Sequence, residues 1–393
     1  MAISIVHDLP TKVNLLSAWF KAGKLRAMSE TAKIATITHV PMRGSLGAWI
    51  SGVGTALLRL LPAETAHDIG MSLLARGILD HVSTPFIDPL TAGMGVTLPG
   101  IGDLPHPIGL AAGFDKHCRV PAAFARMGFS MLEVGTVTPQ AQPGNPKPRL
   151  FRQAEQLALI NRMGFNSDGA ATIADRLRRL NWQHDLVPLG INCGKNKNTP
   201  ADRAIDDYLQ VMSAFGDLAH YFVVNISSPN TPGLRDLATP TFIHSLADEI
   251  GDRLPKVWVK LDPDMDRREF QALVEAISER GFRGIIVSNT HRVAVPEAGG
   301  QSGHPLMALS TACLEWAYAV HQGRLPMIAT GGVLSGADIF QKLARGASAV
   351  QIYTALVYRG PWVVHQLLVE LAAELKLRGI SHVQDIIGSY YRE

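Results

Sequence analysis

Short apolar runs alternate with amphipathic stretches along most of the chain. The runs are rich in β-branched and aromatic residues, as is typical of strands buried on both faces of a sheet. They span residues 107–112, 131–136, 187–192, 221–226, 256–261, 284–289, 327–330 and 348–353. Between most of them, apolar residues recur at helical spacing, as in residues 201–215, 241–252, 267–280, 308–321 and 336–344. Eight strands separated by helices predict an α/β fold, the (β/α)₈ TIM barrel. A doubly wound open sheet is the main alternative, but the chain lacks the early G-x-G-x-x-G of a dinucleotide-binding sheet.

Two shorter amphipathic stretches precede the barrel, on either side of Pro62. Their apolar residues are Ile50, Val53, Leu57, Leu58 and Leu61, then Ala66, Ile69, Leu73, Leu74 and Ile78. This spacing predicts a small N-terminal helical domain, a hairpin in residues 45–82. The pattern alone favours packing of both apolar faces against the barrel over a membrane-facing cap that admits a lipid-like molecule.

The first 44 residues are basic. Their only acidic residues are Asp8 and Glu30, and their basic ones are Lys12, Lys21, Lys24, Arg26, Lys33 and Arg43. Because apolar residues lie among these charges, the segment fits a membrane-surface helix, a targeting segment or a poorly ordered extension. We therefore expect three parts: the extension at 1–44, the hairpin at 45–82 and the barrel at 83–393.

Composition narrows the function classes. The 393 residues are 47% hydrophobic and 18% charged, which suits one large globular domain with a smaller one. A formal net charge of +3 is too small to indicate binding to nucleic acid. Cys118, Cys193 and Cys313 form neither a disulfide framework nor a metal-binding pattern, which indicates a reducing compartment and no metal site. No run approaches the roughly 20 apolar residues of a transmembrane helix.

Polar or glycine-containing segments follow almost every predicted strand, where TIM barrels build their active sites. These segments are 113–116, 135–136, Asn192, Asn225, Lys260, Asn289, 331–332 and 353–354. Asparagine offers a donor and an acceptor without charge, so a ring of asparagines predicts a planar substrate with carbonyl and N–H groups. Lys116 adds a charge that suits a carboxylate.

The stretch Y-F-V-V-N-I-S-S-P-N-T-P-G-L-R-D-L, residues 221–237, is where we expect the chemistry. Its apolar run breaks into the hydrogen-bonding residues Asn225, Ser227, Ser228, Asn230 and Thr231. Such residues also favour ordinary turns. However, a loop at a strand end can aim polar groups at a ligand, and the other strand ends favour that interpretation.

The last two strand exits predict a phosphate site. A-T-G-G-V-L-S-G, residues 329–336, is a glycine-rich turn that leads into a helix, and we expect free N–H groups at that helix N-terminus to bind an anion. Barrels often bind phosphate after strands seven and eight, and residues 346–354 supply the second half. With Lys260 reaching inward, this arrangement predicts a nucleotide-like cofactor such as FMN.

Six motifs together resemble the dihydroorotate dehydrogenases. They are A-A-G-F-D-K (111–116), G-T-V-T-P (135–139), N-R-M-G-F-N (161–166), N-C-G-K-N-K (192–197), N-I-S-S-P-N-T-P-G-L-R (225–235) and V-Q-I-Y-T (350–354). The chain is most similar to the membrane-associated, quinone-dependent class 2 enzymes, from about Leu57 to the C-terminus. The resemblance implies oxidation of (S)-dihydroorotate to orotate in de novo pyrimidine (UMP) biosynthesis, with FMN as hydride acceptor and a quinone as final electron acceptor.

The resemblance also implies roles for individual residues. The serine that acts as base in class 2 enzymes corresponds to Ser228. Positions that bind orotate correspond to Lys116, Asn161, Asn225, Asn230, Asn289 and Thr290. Positions around FMN correspond to Ala112, Thr136, Asn192, Lys260, Ser288, Gly303, Gly332, Tyr353 and Thr354. Arg152 and Tyr353 resemble residues at the quinone pocket, and the hairpin then becomes a membrane-association element and quinone channel.

The chain departs from the family pattern at three points. His291 replaces the last threonine of N-T-T, Cys193 stands where leucine is common, and Gln301 departs from G-G-L-S-G. The segment 292–300 also looks short, which leaves its geometry open. None of these changes removes a residue assigned to chemistry.

Two rival functions remain at this stage. One is a related flavin barrel that passes electrons to fumarate or a nicotinamide. Two features argue against it: the hairpin, and serine rather than cysteine at position 228. The other is a flavin- or phosphate-binding barrel without turnover, against which the intact Ser228, Lys116 and asparagines argue. We expect a peripheral membrane protein, monomer or homodimer, on the cytoplasmic face of a bacterial inner membrane, with the mitochondrial inner membrane as the alternative.

Overall fold

The computed structural model describes residues 54–78, 91–180, 182 and 187–392. The predicted basic extension, residues 1–44, lies outside these ranges. Residues 45–53 and 79–82 of the predicted hairpin segment lie outside them too, so the domain boundary at residue 83 stays a prediction.

The strands of the described residues form three sheets, the largest of which is a closed barrel. In chain order the strands are β1 (Val96–Leu98), β2 (Gly102–Leu104), β3 (Ile108–Leu110), β4 (Met131–Val137), β5 (Leu150–Gln153), β6 (Ala158–Asn161), β7 (Leu189–Cys193), β8 (Tyr221–Asn225), β9 (Val257–Lys260), β10 (Gly284–Val287), β11 (His291–Val293), β12 (Gly299–Gly303), β13 (Met327–Thr330) and β14 (Ala349–Ile352). Parallel pairing closes the ring in the order β10-β13-β14-β3-β4-β7-β8-β9, with β9 against β10. Each barrel strand falls within or overlaps one of the eight predicted apolar runs, so the TIM-barrel prediction is confirmed.

The barrel strands are buried on both faces, which explains their continuous apolar sequences. Every residue of β4, β8, β9 and β10 is buried. Side chains of one face fill the barrel interior, and those of the other pack beneath the surrounding helices. A polar residue inside such a strand therefore has to find its partners within the barrel.

Helices surround the barrel, among them the five that the amphipathic stretches at 201–215, 241–252, 267–280, 308–321 and 336–344 predict. They are α1 (Ala63–Ala75), α2 (Pro121–Arg126), α3 (Ala170–Arg179), α4 (Ala204–Phe215), α5 (Pro240–Ile250), α6 (Arg267–Glu279), α7 (Met307–His321), α8 (Gly336–Ala344), α9 (Thr354–Arg359) and α10 (Val363–Arg378). In α6, for example, the buried residues Phe270, Leu273, Val274 and Ile277 follow the i, i+3, i+4, i+7 pattern of a helix with one apolar face.

A helical hairpin precedes the barrel in the described part of the chain, and two arginines attach it. Residues 54–59 are helical, and α1 begins after Pro62. Arg149 donates to Glu64 Oε1 of α1 from Nε (3.1 Å) and Nη2 (3.0 Å). Arg152 on β5 donates to carbonyl oxygens at the end of the first helix, those of Leu58, Arg59 and Leu61. The hairpin is therefore held by polar contacts as well as by packing.

The hairpin carries several exposed apolar side chains. Leu60 is 81% exposed, Leu57 59% and Ile78 52%. Clustered exposure of large apolar residues is typical of a surface that contacts a membrane or another molecule. Within the described ranges, no helix is both long enough and apolar enough to cross a bilayer.

A four-stranded antiparallel sheet, in the order β11-β12-β6-β5, was not predicted from the sequence. Asn161 of β6 pairs with Gly300 of β12, so the sheet joins two segments that are far apart in the chain. It also resolves the open geometry of the segment 292–300, which supplies paired residues of β11 and β12 and the turn between them.

Candidate active site

A cavity opens at the carboxyl ends of the barrel strands. Almost all of the residues singled out from the sequence line it. Those predicted to act on the substrate are Lys116, Asn161, Asn225, Ser228, Asn230, Asn289 and Thr290, and those predicted around the cofactor are Ala112, Thr136, Lys260, Ser288, Gly303, Gly332, Tyr353 and Thr354. Two predicted residues, Asn192 and Arg152, do not line it.

Asn192 lies one layer below the cavity and orients residues that do line it. Its Oδ1 accepts hydrogen bonds from Thr136 Oγ1 (2.6 Å) and Asn225 Nδ2 (3.1 Å). Asn289 Nδ2 donates to Ser227 Oγ (2.9 Å), which in turn donates to Asn225 Oδ1 (3.1 Å). These bonds fix which end of each amide faces the cavity, because donors and acceptors are committed in one direction.

Glu133, on β4, lies beneath the cavity, bound to residues around it, and was not predicted from the sequence. It is fully buried, and its two carboxylate oxygens accept from Asn192 Nδ2 and Gln351 Nε2, each at 2.6 Å. Lys260 Nζ lies 3.7 Å from Glu133 Oε1. The charge on Lys260 therefore has a buried partner, as an ammonium in such a site requires. The signal that could have found Glu133 is a lone carboxylate inside an apolar strand.

The loop after β8 places Ser228 beside the asparagine side chains that line the cavity. The backbone N–H of Asn230 donates to Ser228 Oγ (3.3 Å), and Asn230 Nδ2 donates to Asn161 Oδ1 (3.1 Å). No histidine, aspartate or glutamate of the described ranges hydrogen-bonds to Ser228 Oγ. Ser228 is buried, so a ligand in the cavity would meet its hydroxyl away from bulk water.

Arg235 ties the Ser228 loop to two neighbouring strand exits. It donates from Nε to Ser227 O (3.1 Å) and from Nη2 to Thr290 O (3.2 Å). It also pairs with Asp262 (2.7 Å) and Asp264 (2.8 Å), both after β9. Burial raises the pKa of Asp262 to about 6 despite the opposing effect of Arg235. This cluster holds the loop over the cavity.

Lys116 reaches the cavity from the loop after β3. Its Nζ donates to Gly113 O (2.6 Å). Burial, with a contribution from the nearby Arg149 cation, lowers the pKa of Lys116 to about 8. A bound carboxylate would reverse that effect and would find a charged partner here.

The glycine-rich turn after β13 forms another part of the cavity wall. Its Gly332 adopts φ +82°, and an added Cβ would lie 2.3 Å from Met307 Cα, so only glycine fits. Within the described ranges, no acceptor bonds the backbone N–H of Gly332 or Val333. Such N–H groups at a cavity wall suit an anion.

Most of the free N–H groups predicted at the N-terminus of α8 already have an acceptor, so this part of the prediction was wrong. Asp338 Oδ2 accepts from the N–H groups of Leu334 and Ser335, each at 2.9 Å. Glu370 Oε2, from α10, accepts from Gly336 N at 2.9 Å. Two carboxylates therefore already bind this helix end, which leaves the glycine turn as the candidate anion site.

Tyr353 connects the cavity to the helical hairpin through aromatic contacts. Its ring lies 5.1 Å from that of Phe114, which lies 5.2 Å from the ring of His67 on α1. Burial, and secondarily the Lys116 cation, lowers the pKa of His67 to about 3, so this imidazole is neutral. Sequence reasoning missed His67. Arg152, also predicted for this region, contacts the hairpin backbone instead of the cavity.

Comparison with known proteins decides the family. The family model described as dihydroorotate dehydrogenase matches residues 94–375, most of the chain. The chain belongs to the dihydroorotate dehydrogenase family. The resemblance of its six motifs is thereby confirmed.

Individual relatives of known name align with this chain over most of their own length. A dihydroorotate dehydrogenase (quinone) of Myxococcus xanthus is 40% identical over 360 residues, covering 87% of this chain and 98% of that protein. The mitochondrial dihydroorotate dehydrogenase (quinone) of Mus musculus is 41% identical, covering 86% and 89%. The ligand-free dihydroorotate dehydrogenase crystal structure of Eimeria tenella has a TM-score of 0.77 and 38% identity, covering 84% of this chain and all of that one.

The three departures from the dihydroorotate dehydrogenase pattern have structural explanations. His291 pairs through Nδ1 with Asp264, which extends the Arg235 cluster. Cys193 is fully buried, as expected of a small apolar core residue. Gln301 donates to Gln153 Oε1 (2.6 Å) across the antiparallel sheet. None of them disturbs a cavity-lining group.

Proposed function

We propose that this protein oxidises dihydroorotate to orotate, with FMN as the hydride acceptor and a quinone as the final electron acceptor, in de novo pyrimidine (UMP) biosynthesis. The observation that carries the proposal is the convergence of Lys116, the asparagines and the Ser228 loop on one cavity that the glycine turn after β13 also lines. Family membership agrees with this assignment.

The substrate end supplies binding and a base. Lys116 pairs with the substrate carboxylate, and the side chains of Asn225 and Asn289 bind its ring carbonyl and N–H groups. Ser228 Oγ removes a proton from one ring carbon while a hydride leaves the adjacent carbon. The N–H of Asn230 stabilises negative charge on Ser228 Oγ, since a hydrogen bond to the charged form favours it.

The residues present fit FMN at the other end. The N–H groups of Gly332 and Val333 suit its phosphate, and Lys260 with Glu133 suits its polar ring edge. FMN supplies the hydride-accepting chemistry when bound. The chain's own contribution is to hold Ser228 on the far side of the substrate and to exclude water from the transfer.

The hairpin supports a quinone acceptor and a membrane surface. Leu57 and Leu60 are exposed on it, and Tyr353, Phe114 and His67 lead from it to the cavity. We propose that a quinone enters between the two helices, that Arg152 holds the first helix in place, and that the apolar hairpin side chains contact lipid.

A spectroscopic experiment tests the proposal. Purified protein should be yellow, should bleach anaerobically with dihydroorotate, and should recover its colour with a short-chain quinone. Recovery with fumarate or NAD instead of quinone would favour the related flavin barrels. Flavin that never bleaches would indicate a binding protein without turnover.

The Ser228→Ala variant tests the base. Flavin reduction by dihydroorotate should slow by at least about 100-fold, because a positioned base contributes that much or more. Reoxidation by the quinone is the internal control and should keep its rate. A normal reduction rate would show that another group takes the proton.

A further inference from the structure

Lys342, on α8, is a buried cation that the proposed reaction does not use. Its side chain has no exposed surface. Nζ donates to Ser310 Oγ (2.6 Å), Thr311 Oγ1 (2.8 Å) and Met307 O (3.4 Å). Within the described ranges, no carboxylate lies within ion-pair distance of it. Burying an ammonium among neutral partners costs free energy, so a buried lysine of this kind suggests a function for its charge.

The groups that accept from Lys342 belong to the first turn of α7, which packs against the glycine turn. Ser310 Oγ donates to Gly331 O at 2.9 Å. The same hydroxyl therefore accepts from the Lys342 ammonium and donates to the Gly331 carbonyl. Gly332 packs directly on the backbone of Met307. Lys342 thus lies behind the wall of the cavity at the proposed phosphate end.

The geometry of one peptide links this contact to the anion site. In a trans peptide the C=O and the N–H point in opposite directions, and the peptide between Gly331 and Gly332 is trans. Because Ser310 holds the Gly331 carbonyl on its own side, the N–H of Gly332 points away from Ser310, and both glycines line the cavity.

We propose that Lys342 is a positioning residue that makes the cavity select a phosphate ester dianion, and hence FMN over riboflavin. Through Ser310 it orients the Gly331–Gly332 peptide, and its charge adds positive potential behind the N–H groups that meet the phosphate. The inference rests on the proposed function for the identity of the flavin. It assigns to Lys342 the charge that the N-terminus of α8 does not supply, since Asp338 and Glu370 already bind that helix end.

The other ionisable groups near Lys342 are committed elsewhere. Asp338 accepts from backbone N–H groups, and Glu315 of α7 pairs with Arg345 at 2.7 Å. Cys313 is buried, and burial raises its pKa to about 12, so it is a neutral thiol. Burial is also the main cause that lowers the pKa of Lys342 to about 7 in the absence of an anion.

Flavin titration of the flavin-free full chain tests the proposal. In Lys342→Met, the affinity for FMN should fall about 10-fold or more while the affinity for riboflavin changes by less than about 3-fold, since only FMN carries the dianion. Ser310→Ala should shift the same ratio in the same direction. A merely structural role for Lys342 would weaken both flavins equally and leave the ratio unchanged.

Lys195→Met is the matched control. Lys195 is also buried, and its Nζ donates only to backbone carbonyls, those of Asn196 and Thr199. The FMN-to-riboflavin ratio should stay at the wild-type value in this variant. A ratio that falls as far in Lys195→Met as in Lys342→Met would overturn the proposal.

The wild-type pH profile gives a readout that needs no variant. A dianion raises the pKa of Lys342, so FMN binding takes up a proton above pH 7, and the FMN-to-riboflavin affinity ratio should fall between pH 7 and pH 9. The phosphate itself stays a dianion in this range because its second pKa is about 6. If Lys342→Met does not fold, a flat wild-type ratio overturns the proposal. A wild-type chain that binds no FMN refutes the proposed function instead.

Discussion

Lys260 and Glu133 show how a single buried pair couples the core of the barrel to its active site. Glu133 uses both oxygens to bind amide donors from β7 and β14, and it is also the carboxylate nearest to Lys260. Glu133 therefore connects side chains from three other strands, those of Asn192, Gln351 and Lys260. Removing one member leaves the other as an uncompensated buried charge.

The variant Glu133→Gln should lower the free energy of unfolding by about 3 kcal/mol, because it strands the Lys260 ammonium. The N–H₂ group of the new glutamine side chain would also face the donor N–H of Asn192 or of Gln351, so that one of these hydrogen bonds is lost. Denaturant unfolding measures the change. Glu249→Gln, an exposed glutamate on α5, is the control and should stay within about 0.5 kcal/mol of wild type.

A double-mutant cycle separates the charge pair from the amide contacts. Glu133→Gln combined with Lys260→Met should cost less than the sum of the two single changes, by about 1 kcal/mol or more. Strict additivity would mean that the two charges do not interact across their 3.7 Å separation.

At the scale of elements, the barrel was predictable because its signals are local. A strand buried on both faces needs a continuous apolar run, and a helix on a barrel needs one apolar stripe. Both patterns fit within a few consecutive residues, as β8 and α6 illustrate. The strand exits follow from the strands, which is why the sequence alone predicts Lys116, Asn225 and Asn289 as site residues.

The elements that the sequence did not reveal depend on distant contacts. The strands β5 and β11 contain no buried residue, so they lack the apolar pattern of the barrel strands. In addition, the pairing of Asn161 with Gly300 joins segments that no local pattern relates. The N-terminus of α8 is similar: its sequence allows an anion site, but Glu370 from α10 fills it. Only the tertiary packing of α10 against α8 brings the Glu370 carboxylate to this helix end.

The hairpin is the element whose proposed membrane role is most directly testable. Leu57 and Leu60 are largely exposed, and burying each leucine in lipid is worth about 1.5–3 kcal/mol. The double variant Leu57→Ser, Leu60→Ser should therefore reduce partitioning into lipid vesicles by about 100-fold, measured by co-sedimentation. Flavin reduction by dihydroorotate should be unchanged, since neither residue lines the cavity.

Leu377→Ser is the matched control for the hairpin. Leu377 is 79% exposed on α10 and is not part of the hairpin. Its replacement should leave vesicle binding at the wild-type level. Equal losses in the two proteins would mean that general surface hydrophobicity, and not the hairpin, drives the association.

At the scale of the whole molecule, closure of the barrel ties distant parts together. Each barrel strand pairs with a neighbour on either side, so the barrel has no free edge. Opening at any point therefore unpairs two strands and exposes the interior. Three cysteines report on this property from different parts of the barrel: Cys118 after β3, Cys193 on β7 and Cys313 on α7.

All three cysteines are free and fully buried, and burial raises the pKa of each thiol above its ordinary value. Because the thiolate is the reactive form, native protein should react very slowly with a chromogenic disulfide reagent. If the barrel opens as one unit, the three sites should be labelled at one common rate, which mass spectrometry resolves. The proposed cofactor FMN, at 100 times its Kd, should slow that rate about 100-fold, since a ligand of the cavity would bind only the closed barrel. Rapid labelling of one cysteine in otherwise folded protein would instead show that its segment opens independently of the ring.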